Sequence, residues 1–387
     1  MKTRILAFAA GVLSLAACAD GTPVGVAGSD SGTPAPLLAA QSRGIDGHYV
    51  VVLREGADPR AVAAVAGADP RFVYTAALNG FAGPLNAGQL NAVLHHPDVA
   101  FVEQDRAVTQ PGDPSITAVS GTTPWGLDRI NQRSLPLDGQ AGSSSTGAGV
   151  RAYVIDTGIN TTHTQFSGRA ATGYDAFGGS GQDCNGRGTD IAAVVGGTTY
   201  GVAKGVTLIG VKVLDCNASG TLAGVIAGID WVRASHVKPA VAVLALSATL
   251  SSSLNTAINN LSNAGVFVAV AAGDGNQDAC NVSPASATGA LALMASTITD
   301  ARATFSNFGG CADLYAPGVN IPTVSGTRSG TSMAAAHATG VAALYLRSNP
   351  SASAATVRTW ILNNATPNVI TGNPVGTPNK LLYSGTL

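Results

Sequence analysis

The sequence predicts an α/β domain, a mostly parallel sheet with helices on both faces, preceded by a smaller α+β module. From residue 150 onward, short apolar runs alternate with amphipathic stretches, as expected of strands buried on both faces and the helices that cover them. Residues 47–109 hold a self-contained set of shorter strand and helix patterns. A chain of 387 residues has the material for one large domain and one small one.

In chain order, Lys2 and Arg4 precede an apolar run over 5–15 that is too short to span a bilayer, and Leu15-Ala16-Ala17 leads to Cys18. This predicts an export signal over residues 1–18. A cysteine after Leu-Ala-Ala resembles a bacterial lipobox, which implies lipidation at Cys18 and a protein tethered at the cell envelope. Residues 19–46, rich in Gly, Ser, Thr, Pro and Ala, predict a flexible tether. In the module, residues 48–53, 72–78 and 99–103 read as strands, and 58–66 and 87–96 as helices. A loop over 110–124, rich in Pro, Gly, Ser and Thr, reads as a linker to the large domain at 125–387.

In the large domain, strands are expected over 150–155, 206–214, 241–246 and 266–272, with helices over 221–234, 253–264, 334–346 and 354–363. Functional groups of such a sheet lie at the carboxyl ends of its strands. Three candidates stand at or near such places: Asp156 in Val154-Ile155-Asp156-Thr157-Gly158, Asp274 after Ala271-Ala272-Gly273, and Ser332 in Ser329-Gly330-Thr331-Ser332-Met333-Ala334. A serine opening a helix sits near backbone N–H groups that stabilise an oxyanion, although Gly-Thr-Ser before a helix is by itself more often a cap.

Net charge is -1 and charged residues make up 11%, so no basic field exists to attract nucleic acid. Beyond Cys18, the cysteines are Cys184, Cys216, Cys280 and Cys311. Export favours disulfides among them, with three pairings open. The absence of a Cys-x-x-Cys pair argues against a zinc site.

Taken together, Val-Ile-Asp-Thr-Gly, the segment Asn185-Gly186-Arg187-Gly188-Thr189-Asp190, Ala-Ala-Gly after an apolar strand, and Ser-Gly-Thr-Ser-Met-Ala resemble the subtilisin family of serine proteases, in its proteinase K branch. Trp125-Gly126-Leu127-Asp128-Arg129-Ile130 and Phe305-Ser306-Asn307-Phe308-Gly309 fit the same pattern. Asn79-Gly80-Phe81-Ala82-Gly83 and the segment ending Val102-Glu103-Gln104-Asp105 resemble the family's inhibitory propeptide. The resemblance implies a subtilisin-like three-layer α/β/α fold and a ferredoxin-like α+β propeptide domain. It also implies Asp156 as the orienting acid, Ser332 as the nucleophile, and disulfides Cys184–Cys216 and Cys280–Cys311.

This chain departs from the family at three places. Arg187 stands where the catalytic histidine belongs, and Asp190 where a second histidine is usual. Arginine stays protonated and cannot accept the Ser332 proton. Asp274 replaces the asparagine that donates to the oxyanion; a slip onto Asn276 is the alternative alignment. Where relatives read Ser-Leu-Gly-Gly, this chain has Ala245-Leu246-Ser247-Ala248, so Leu246, Ser247 and Ala248 are expected to line a narrowed substrate strand. Arg187 is expected between Asp156 and Asp274, within about 4 Å of Asp156. Of the six histidines, none is placed to act as a substitute base, His163 and His337 included.

The resulting expectation is a pseudoprotease that binds a peptide or protein partner in its cleft, with its propeptide still attached. The alternatives are an active serine endopeptidase with an unrecognised base, and an inhibitor acting through the propeptide-like module. No cofactor or metal is predicted from the residues. Calcium is implied by the family alone, and Thr297 and Asp300, near the relevant loop, do not make a convincing ligand set.

Overall fold

Strands made almost entirely of Val, Ile, Leu and Ala have no polar face to turn to water, and in the computed structural model they form the centre of a nine-stranded sheet. The structure describes residues 33–109, 124–385 and 387; the expected export signal, Cys18 and most of the expected linker lie outside them. The sheet's central run is Leu291–Ser296, Phe267–Ala271, Ala240–Leu244, Arg151–Asp156, Thr207–Lys212 and Ala170–Asp175, all parallel. Lys380–Leu381 and Thr366–Pro367 close the other edge as an antiparallel pair.

Successive residues of one strand feed opposite faces, as the pleat requires. Ala152 and Val154 pack with the helices Arg187–Gly196 and Thr331–Ser348, whereas Tyr153 and Ile155 pack with Leu222–Ser235 and Ser252–Asn263. The three layers therefore follow from the alternation in the sequence. Disulfides join Cys184 to Cys216 and Cys280 to Cys311, the pairing that the family resemblance implies.

The small module is a second sheet in which Val99–Thr109 lies beside Gly44–Leu53, followed by Gly80–Pro84 and Phe72–Tyr74. Its helices, Pro59–Val65 and Ala87–Leu94, start at caps formed by Asp58 and Asn86, the latter in a reciprocal capping box with Gln89. One face of this sheet packs on its own helices through Val51, Phe81 and Val102. The other, through Val50, Val52 and Tyr74, packs on the Leu222–Ser235 helix of the large domain.

Three elements differ from the sequence expectation. Residues 75–78 are not strand, because their amides turn to the carboxylate of Asp230. The strand expected to end at 103 runs on to Thr109. The flexible tether expected over 19–46 does not extend to its last residues: Leu37–Leu38 pair with Val102 and Glu103, and the next strand begins at Gly44. A free edge on the neighbouring strand satisfies the backbone there, so composition alone misjudges the segment.

Candidate functional site

Asp156 ends the Arg151–Asp156 strand and is fully buried. Arg187 opens the Arg187–Gly196 helix, which starts after Gly186 at φ 99°. Asp183 anchors that start, accepting the amides of Gly186 and Thr189, each at 2.9 Å. The placement directs the guanidinium at the strand end: Arg187 Nη1 donates to Asp156 Oδ2, and Nη2 donates to the carbonyl of Ala245. Arg187 is itself only 5% exposed. Burial pushes the Asp156 carboxyl above its ordinary range, and Arg187 and the Thr157 amide pull it back. The expected span from Asp156 to Asp274 is not made, since the second guanidinium nitrogen goes to Ala245.

Ser332 is the second residue of the Thr331–Ser348 helix, and its buried Oγ has no hydrogen-bond partner among the described residues. The acid at 274 lies at the same helix end. Asp274 Oδ1 accepts the amide of Thr331 at 2.8 Å, and Thr331 Oγ1 accepts that of Gly273 at 3.0 Å. Asn276 is directed elsewhere, with its side-chain oxygen accepting from Arg302 at 3.0 Å. The helix N-terminus thus faces a carboxylate, which carries no proton to donate when ionised.

Asp190 is fully buried, accepts from Nε of Arg328, and takes the Ser325 amide at 3.0 Å. Arg187 and Asp190 therefore each meet an opposite charge. Ring nitrogens of the other histidines are engaged locally. Those of His163 and His337 face the Gln165 amide and the Met333 carbonyl, respectively. Leu246 is buried, and Ser247 and Ala248 border a cavity of about 560 Å³ that also touches Asp274 and Asn307.

The subtilase family model matches residues 147–381, and the peptidase inhibitor I9 model matches 64–110. An extracellular serine proteinase of Thermus sp. (strain Rt41A) is 46% identical over 99% of this chain and its own full length. The chain belongs to the subtilase family. An alkaline serine exoprotease A of Vibrio alginolyticus is 44% identical over 81% of the chain and 60% of its own length. A crystal structure of a cold-adapted subtilisin-like serine proteinase superposes with a TM-score of 0.67 at 45% identity, covering 68% of this chain and 99% of that one.

In this subtilase the inhibitor-type module is docked through buried charges that local sequence patterns do not reveal. Residues 107–109 pair antiparallel with Ser219–Thr221, adding a strand to the large domain. Glu103 Oε2 accepts the amide and hydroxyl of Ser253 at 3.0 and 2.7 Å, and Asp105 accepts the Ala223 amide at 3.0 Å. Each carboxylate thus sits at the positive start of a helix. In the opposite direction, Asp230 Oδ1 takes the amides of Ala76 and Ala77 at 2.8 and 2.6 Å. The sequence signal for Asp230 is slight: one acid on a mostly apolar helix.

Proposed function

We propose that this subtilase is an exported pseudoprotease, a peptide-binding protein whose cleft holds its own propeptide-like module in place of turning over substrate. In this assignment, residues 47–109 are the inhibitor module and 125–387 the peptidase-like domain. Asp156 and Ser332 occupy the acid and nucleophile positions, Arg187 that of the base and Asp274 that of the oxyanion donor; Leu246, Ser247 and Ala248 form the substrate strand. The observation that carries the proposal is the buried Asp156–Arg187 pair, together with a Ser332 hydroxyl that has no partner among the described residues. A protonated guanidinium accepts no proton, and an unassisted serine is an ordinary alcohol. Reference losses come from subtilisins themselves: about 10⁶ in turnover without the triad histidine, and about 10² to 10³ without the oxyanion donor.

Export is supported by the signal-like start and by the relative named as extracellular. Lipidation at Cys18 is a finer proposal resting on the Leu15-Ala16-Ala17-Cys18 motif.

Calcium, which the family implies, does not suit Asp300, whose two oxygens take Arg129 at 2.7 and 2.9 Å. No group of three His, Cys, Asp or Glu side chains gathers among the described residues. A better fit is the helix Trp125–Asn131, where Asp128 Oδ1 and Asn131 Oδ1 are buried without partners, three residues apart on one face. Burial, with Asp138 alongside, raises the Asp128 carboxyl. Two acids and an amide oxygen are the donor chemistry that a hard cation takes, and an ion there would neutralise the acids and brace the helix.

The test is the intact mass of the exported protein together with a peptide-hydrolysis assay. A chain still carrying residues 47–109 and hydrolysis no faster than that of S332A support the proposal. Hydrolysis lost only in S332A establishes the second reading, an active endopeptidase, which the retained Asp156 and Ser332 favour.

A further inference from the structure

We propose that residues 34–43 are a strap that holds the last strand of the propeptide-like module in the cleft. This segment would then control access to the cleft. The inference goes beyond the reading above and holds whether or not Ser332 is reactive.

The geometry is a strand secured along its length. Val99–Thr109 runs from the module into the large domain, and its last residues meet Ser219–Thr221 on one edge. The segment 34–43 follows the same strand. The Ala35 amide donates to Leu94 O at 2.7 Å, fixing the strap's start to the module. Leu37–Leu38 then pair in parallel with Val102 and Glu103, and Val102 donates to Pro36 O at 2.9 Å. Further along, Ala40 donates to Gln104 Oε1 at 3.2 Å, and Ala107 donates to Arg43 O at 2.9 Å. Finally, Arg43 Nη1 donates to Thr109 Oγ1, at the last residue of this strand.

Two consequences follow. Residue 107 donates to Arg43 on one edge and lies opposite Thr221 on the other, so lifting 107–109 out of the cleft means breaking strap bonds together with the pairing to Ser219–Thr221. Ser42 and Arg43 also border the 560 Å³ cavity opposite Ser247 and Ala248, so an incoming peptide meets the strap there. Most of the strap side chains are exposed, so its hold comes from backbone pairing rather than from burial. Backbone pairing of this kind is open to competition by another extended chain.

Hydrogen exchange on the full chain tests this directly, with A35P/L38P to remove strap donors and Arg43→Gly to remove only the side-chain contact to Thr109. Glycine suits that position, since Arg43 has φ 54°. The expected result for A35P/L38P is at least about tenfold faster exchange at 107–109 and at Ser219–Thr221, with the module core at 50–52 unchanged. For Arg43→Gly about threefold is expected at the same amides. Parent exchange rates at 107–109 and Ser219–Thr221 in A35P/L38P, despite a detached strap, would overturn the proposal. Should A35P/L38P also unprotect 50–52, Arg43→Gly decides, and a change of less than about twofold there overturns it.

Discussion

Replacing Arg187 by methionine should destabilise the protein most at neutral pH and least in acid. The substitution keeps much of the side-chain bulk but removes the partner of a fully buried carboxylate and a donor to Ala245 O. Removing one member of a buried ion pair costs about 3–5 kcal/mol. At about 2–4 °C per kcal/mol for a domain of this size, Tm should fall by roughly 6–20 °C. The pH dependence follows from Asp156. Its carboxyl is already raised by burial, and Arg187 is the strongest influence pulling it down, so the variant's carboxyl titrates higher still. Such a group is protonated in both folded and unfolded states below about pH 3.9, and there it costs nothing. The penalty grows as pH rises from there toward the folded-state value and levels off above it. Calorimetric melting of parent and R187M between pH 4 and 7 measures this directly. R187M/D156N, with a neutral amide in place of the buried charge, should recover at least half of the loss. An R187M Tm within about 2 °C of parent at pH 7, or a loss independent of pH, would refute the account of this pair.

Three further outcomes are expected. R187H/D274N should restore cutting between residues 110 and 124, visible as a new N-terminus by mass, with R187H alone slower by about 10² to 10³. His337 is buried with its pKa lowered to about 4, so stability should be lost as pH falls from about 6.5 toward 4, by up to about 3 kcal/mol, and H337Q should remove that segment of the pH–stability curve. Calcium titrated into chelator-treated protein should raise Tm in the parent and not in D128N/N131A; an equal rise in both would place any bound ion elsewhere.

The sheet and its covering helices were legible because Val, Ile and Leu strands such as Ala240–Leu244 have a continuous apolar pattern that no surface element shows. The Arg187–Gly196 helix carried no such signal. It opens Arg-Gly-Thr-Asp, and its helical state comes from Asp183 at its start and burial of Ile191 to Val195. At the site, residue identities announced an arginine at 187, but not where the guanidinium's second nitrogen would go. That depends on Ala245, 58 positions away in the chain. The same limit hid the 107–109 pairing and the role of Asp230, whose partners lie more than 150 residues distant. Local patterning encodes elements, whereas these contacts exist only once two bodies have packed.

The proposal that no described group beside Ser332 accepts its proton is tested most directly by reacting the protein with a small fluorophosphonate from pH 6 to 9 and locating the adduct by mass spectrometry. The account predicts no adduct on Ser332 in the parent and one on Ser332 in R187H/D274N. Phosphonylation of Ser332 in the parent, rising through a titration near neutral pH, would contradict it.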